Sequence, residues 1–78
     1  MKRTVDLRFE NQFSLVLIRP LTVRGKEWVK ERMIVEDWQW VGGAVATEPR
    51  LAADIFHGAA SEGLGLWAAD YHGEVEQA

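Results

Sequence analysis

Residues 4–10, Thr4-Val5-Asp6-Leu7-Arg8-Phe9-Glu10, alternate polar and apolar positions strictly, the period of a strand with one wet face. Asn11-Gln12 can turn the chain. Residues 13–18 are apolar on both parities apart from Ser14, which predicts a second, central strand in a hairpin with the first. Arg19-Pro20 closes that strand, because proline lacks an N–H and disfavours the helical region for the residue before it. Thr22 suits an N-cap, and Gly25, Trp28, Val29, Arg32 and Met33 then recur at the spacing of one buried helical stripe, with Arg32 snorkelling from its edge.

Beyond Glu36-Asp37, alternation in Trp38-Gln39-Trp40-Val41-Gly42-Gly43 predicts a third strand with Trp38, Trp40 and Gly42 on one face. A glycine pair inside a strand marks a bulge, a bend or a close approach by another backbone. Glu48-Pro49 starts a second helix, since proline is favoured at the first helical position and an acid beside the helix N-terminus. That helix buries Leu51, Ala52, Ile55, Phe56 and Ala59 and stops at Gly63, with Leu64 folding back in a Schellman cap. A fourth strand over residues 64–71 sets Leu64, Leu66 and Ala68 against Trp67, Ala69 and Tyr71 on its other face. The order ββαβαβ, with right-handed crossovers, predicts an α/β (α+β) two-layer sandwich: a mixed four-stranded sheet with both helices on one face. One small domain covers residues 1–72, and residues 73–78 read as an acidic flexible tail.

Seventy-eight residues allow one domain, and 47% apolar content makes it a folded one. The absence of cysteine removes disulfides, thiolate metal sites and a thiol nucleophile together. The basic start of the chain leads into alternation and not into an apolar run, and the longest aliphatic run covers only residues 15–18. The expectation is a soluble, cytoplasmic protein with no membrane partner. His57 and His72 have no metal-ligand spacing, and His57, three residues after Asp54, suits a surface pair. Neither glycine-rich spot links a strand to a helix as a phosphate-binding loop must. No catalytic residue, metal ligand or cofactor is expected, and the chain reads as a non-enzyme.

Charge changes the picture further. Residues 1–32 carry +4 and the remainder −7. Such polarity steers charged partners or favours self-association, although solvated faces produce it too. Arg19, Arg24, Lys26 and Lys30 fall in one segment, yet Glu27 and Glu31 interleave with them and the pI is 5.3. Nucleic-acid-binding domains typically lie above about 9, so direct nucleic-acid binding is the least favoured alternative.

Four tryptophans remain to be placed. Large rings fill the core of a small domain efficiently, and they also serve as anchors at interfaces. Trp28 and some strand tryptophans suit the core. Trp38, Trp40, Trp67 and Tyr71 are the candidate anchors of an exposed sheet face, with Glu36, Asp37, Asp70, Glu74 and Glu76 as the acidic residues that would accompany them.

Leu17-Ile18-Arg19-Pro20-Leu21-Thr22, Trp28, Glu31, residues 38–43, Glu48-Pro49-Arg50 and Gly58 to Gly63-Leu64 form a pattern that resembles a group of small uncharacterised bacterial reading frames, many from phages, plasmids and other mobile elements. The resemblance spans residues 13–66 and implies a setting, with no activity attached to particular residues. Small acidic proteins from such elements include anti-CRISPR inhibitors, which occupy surfaces on host effector complexes. By that analogy the expected partner is a protein, a CRISPR effector subunit, met by the acidic half and the aromatic face. The alternative is a homodimeric structural or regulatory protein whose sheets pack through the tryptophan face.

Overall fold

The computed structural model describes residues 4–70 and 73–77, with side chains over residues 4–68. Strands β1 (Leu7–Gln12) and β2 (Leu15–Pro20) form an antiparallel hairpin whose register runs from Leu7 opposite Pro20 to Gln12 opposite Leu15. The turn is Phe13-Ser14, not Asn11-Gln12, and Phe13 takes a positive φ of 59°. This register keeps Leu7, Phe9, Val16 and Ile18 together on the buried face, and a one-residue slip would expose them.

Helix α1 (Val23–Arg32) starts where expected: the Gly25 N–H donates to the Thr22 hydroxyl at 3.0 Å, and Gly25, Trp28 and Val29 are buried. A Cβ at Gly25 would lie 2.2 Å from the Asp6 carbonyl oxygen, so only glycine lets the helix sit this close to β1.

The tryptophan stretch departs from its expected form. Asp37–Gln39 is a single 3-10 turn, and only Trp40–Val41 is strand, β3. Gly42 and Gly43 then turn the chain, with φ of 56° and 82°, into β4 (Ala44–Thr47). Positive φ at both central residues belongs to the hairpin turn whose twist matches the flanking strands, and a glycine pair is among its preferred sequences. The glycines therefore separate two antiparallel strands where one strand was expected.

Helix α2 (Pro49–Ser61) has proline in its first turn and ends as a Schellman cap, with the Gly63 N–H on the Ala60 carbonyl and the Leu64 N–H on the Ala59 carbonyl. Leu51, expected in the core, is exposed, while Ala52 and Ala59 are buried and Ile55 and Phe56 pack against the core. Strand β5 (Leu66–Asp70) pairs parallel with β1, and β6 (Gly73–Gln77) pairs antiparallel with β5. Residues 73–77, expected as tail, are thus a sheet strand along their described backbone.

The sheet order is β3-β4-β2-β1-β5-β6, six strands counting the two-residue β3, in an α+β fold. The expected four strands and ββαβαβ order become ββαββαββ, because one predicted strand is a hairpin and the chain end adds another. Of the two crossovers, the one through α2 leads to the parallel β1–β5 pair, and β2 meets β4 antiparallel. Leu7, Phe9, Val16, Ile18, Val45 and Leu66 meet Trp28, Val29, Ala52 and Ala59 in one core, so both helices cover one face of a mixed sheet. Phe9 and Phe56 contact edge to face at 5.0 Å across that layer.

Candidate interaction surface

The sheet face opposite the helices carries a charged network. Arg19 on β2 grips Glu10 on β1 through Nε at 3.0 Å and Nη2 at 3.4 Å, and its Nη1 donates to the Gly42 carbonyl of the β3–β4 turn. Arg8 adds a contact to Glu10 at 3.3 Å. These bonds hold both guanidinium groups low over the strands and raise the Arg19 pKa, chiefly through the hydrogen bond to Glu10.

Trp67 belongs to this charged face. It stands opposite Arg8 in the β1–β5 register, and the Arg8 guanidinium lies 4.4 Å from its ring centroid, a cation–π contact that covers the indole. Trp40 lies on the other face, since it pairs with Val45 in the core-facing register. Three strands, β4, β2 and β1, separate β3 from β5. Trp38, Trp40 and Trp67 consequently do not share one aromatic sheet face. Alternation failed as a guide here because Trp38 is in a 3-10 turn and the glycines reverse the chain direction.

What the fold does present is a run of exposed apolar side chains where α1 connects to β3, a ridge along the chain in which Trp40 and Val41, adjacent in β3, point to opposite sheet faces. Ile34 is 96% exposed, Trp38 77%, Val41 50% and Trp40 41%, all within one eight-residue stretch. Met33 and Val35 pack against the core, and this alternation throws Ile34 outward. Glu36 and Asp37, both exposed, lie within the ridge. Ile34 was missed in the sequence, where the Met33-Ile34-Val35 run could have signalled a short extended segment with one outward position.

The remaining acidic candidates lie elsewhere. Asp70 is on β5 and Glu74 and Glu76 are on β6, at the sheet edge opposite β3, and these three are described as backbone only. Tyr71 and His72 lie outside the described residues. His57 meets Phe56 edge-on at 6.1 Å and, among the described residues, makes no ion pair with Asp54.

Part of the charge asymmetry is neutralised inside the fold. Glu62, from the acidic part of the chain, accepts from Arg32 at 2.8 Å and from the Trp28 indole at 3.1 Å, and Arg24 donates to its backbone carbonyl at 3.3 Å. The hydrogen bond from Arg32, then that from Trp28, lower the Glu62 pKa. Asp6, buried, accepts from the Thr22 hydroxyl at 2.6 Å and the Gly65 N–H at 2.9 Å, so it joins β1, the start of α1 and the entry to β5.

Among the described residues there is no group of three or more His, Cys, Asp or Glu that could hold a metal ion, and no helix long and apolar enough to cross a membrane. Compared with protein-family models, curated proteins and solved structures, the chain matches none.

Proposed function

We propose that this protein is a non-enzymatic protein-interaction module that docks through the ridge Ile34, Trp38, Trp40 and Val41, with Glu36 and Asp37 setting the charge of the contact. The observation that carries this reading is the exposure of four large apolar side chains in eight residues. Large apolar side chains left in water this close together in sequence are the kind of group that anchors an interface. Paired tryptophans beside acids suit the aromatic anchors and polar rim of a protein interface.

In its most specific form the module is a mobile-element-encoded inhibitor that binds a host nucleoprotein effector, the CRISPR effector of the resemblance above, without contacting nucleic acid directly. The test is interference by such an effector with and without the protein, beside capture of the effector complex by the tagged chain. Inhibition and stoichiometric capture, both lost in Trp38→Ala, support the reading. Full interference in the presence of the folded protein overturns the inhibitor form, and capture indifferent to Trp38 and Ile34 substitutions overturns the ridge.

A homodimeric regulatory or structural protein is the second reading. It is supported by the exposure of Trp38 and Trp40, the tryptophans on which that alternative relies.

A further inference from the structure

Gly42-Gly43 fits two hairpin turns. A two-residue hairpin closes with positive φ at both central residues or with positive φ at the first alone, and a glycine pair satisfies either pattern. The two forms differ by a flip of the peptide between the central residues, whose oxygen here is the Gly42 carbonyl. Gly42 has φ 56° and Gly43 φ 82°, so the first form is the one adopted. The glycines permit that choice without enforcing it.

The Arg19 side chain supplies the bias. Its Nη1 donates to the Gly42 carbonyl, and the same atom lies 3.7 Å from where a Cβ on Gly43 would stand. The rest of the guanidinium is held from behind, with Nε and Nη2 on Glu10 at 3.0 and 3.4 Å. Glu10 in turn meets Arg8 Nε at 3.3 Å. A planar guanidinium can serve a carboxylate and a carbonyl at once, in a geometry that an ammonium does not reproduce. The backbone offers no substitute for this bond. The β2–β4 pairing ends with Ile18 opposite Val45, and Pro20 has no N–H with which to extend a ladder toward the turn.

We propose that Arg19 is the positioning residue that selects this turn, and that the peptide between Gly42 and Gly43 is a two-state element, held in one state by the guanidinium and free to flip when it leaves. Glu10 acts through Arg19 by keeping the guanidinium aimed at the turn. Loss of one charge-assisted hydrogen bond shifts such an equilibrium by about tenfold or more. The consequence reaches the exposed apolar run. Strand β3 is only Trp40–Val41, paired with β4 next to the turn, so the twist of the turn sets the direction in which these two side chains leave the sheet. The device belongs to the single chain and stands whether or not the ridge docks.

The test is NMR of the full chain, because the flip lengthens the distance between the Gly42 and Gly43 amide hydrogens. A strong amide–amide nuclear Overhauser contact between the two glycines is expected in the unaltered chain. Arg19→Met is expected to reduce it to about half, as two turns of comparable population replace one, and Arg19→Lys to reduce it less. The Leu17 amide, in the β1–β2 ladder, is expected to keep its exchange protection in both variants. Glu10→Gln is expected to shift the turn resonances in the same direction and to add nothing in the Arg19→Met background. Asparagine accepts left-handed backbone and favours the first form before glycine, so Gly42→Asn added to Arg19→Met is expected to restore the contact between positions 42 and 43.

A full-strength contact in Arg19→Met overturns the proposal, because the glycines alone then fix the turn. Loss of Leu17 protection in step with the turn, or failure of Gly42→Asn to rescue, also overturns it, since Arg19 then acts on the whole fold and not on this peptide. If Arg19→Met does not fold, Glu10→Gln decides: unchanged turn resonances overturn the proposal, and a weakened contact at the glycines with Leu17 still protected supports it.

Discussion

The indole N–H of Trp28 donates to Glu62 Oε2 at 3.1 Å, bridging 34 positions of sequence and joining the core-facing side of α1 to the end of α2. Arg32 holds the other carboxylate oxygen at 2.8 Å, so one acid satisfies a buried indole and neutralises a cation. An indole inside a core needs such a partner, and a carboxylate with a second donor is a strong one.

This contact makes stability sensitive to acid. The Glu62 pKa is lowered from its usual 4.5, so its contribution is present above that value and is lost as pH falls through the folded-state pKa. Urea midpoints measured from about pH 7 down to about pH 3 are expected to fall across the acid end. Glu62→Gln is expected to flatten that part of the profile and leave the higher-pH slope unchanged.

Glycines in the two helices respond in opposite directions to alanine. Gly25→Ala drives a methyl group into the Asp6 carbonyl and is expected to cost about 3 kcal/mol or more. Gly58→Ala, inside α2 with nothing within 4 Å of the new Cβ, is expected to stabilise by about 0.5–1 kcal/mol. Chemical denaturation of the two variants checks both signs.

The Gly42-Gly43 turn calls for left-handed backbone, and a Cβ at Gly42 would meet open space. Gly42→Ala is expected to cost about 1–2 kcal/mol from φ alone, whereas Gly42→Asn, which gives a preferred turn sequence, is expected to be close to neutral. Equal destabilisation by the two would show that space, not backbone conformation, limits the position.

Asp6 is a buried acceptor with two donors on segments far apart in sequence. Asp6→Ala leaves the Thr22 hydroxyl and the Gly65 N–H without their acceptor and is expected to cost about 2–4 kcal/mol in the unfolding free energy. Thr22 also caps α1, so the change is expected to raise amide exchange in the first turn of that helix.

Much of the fold was legible in local signals. Thr22, Pro49 and Gly63 mark helix ends because capping chemistry acts within one turn, and the structure has them in those roles. Alternation in residues 4–10 set Leu7 and Phe9 on one face, because a strand with one buried face repeats every two residues. Residues 13–18 were apolar on both parities apart from Ser14, and only the pairing with β1 decided that Val16 and Ile18 are core. Gly42-Gly43 was misplaced although its turn signal was present, since the flanking Trp-x-Trp alternation competed with it.

The sequence by itself determined the helices, the first hairpin and the absence of thiol chemistry, all properties of neighbouring residues or of composition. Tertiary structure decided the strand order, the cover of Arg8 over Trp67, the placement of Trp40 on the helix-bearing face, the Glu62 contacts and the exposure of Ile34. Each depends on which distant segment packs alongside. Arg8 meets Trp67 only because β5 chooses β1 as its parallel neighbour, and Ile34 faces outward only because Met33 and Val35 are drawn into a core assembled from the whole chain. Long-range pairing is selected by the summed burial of many side chains, and no short stretch of sequence contains that sum.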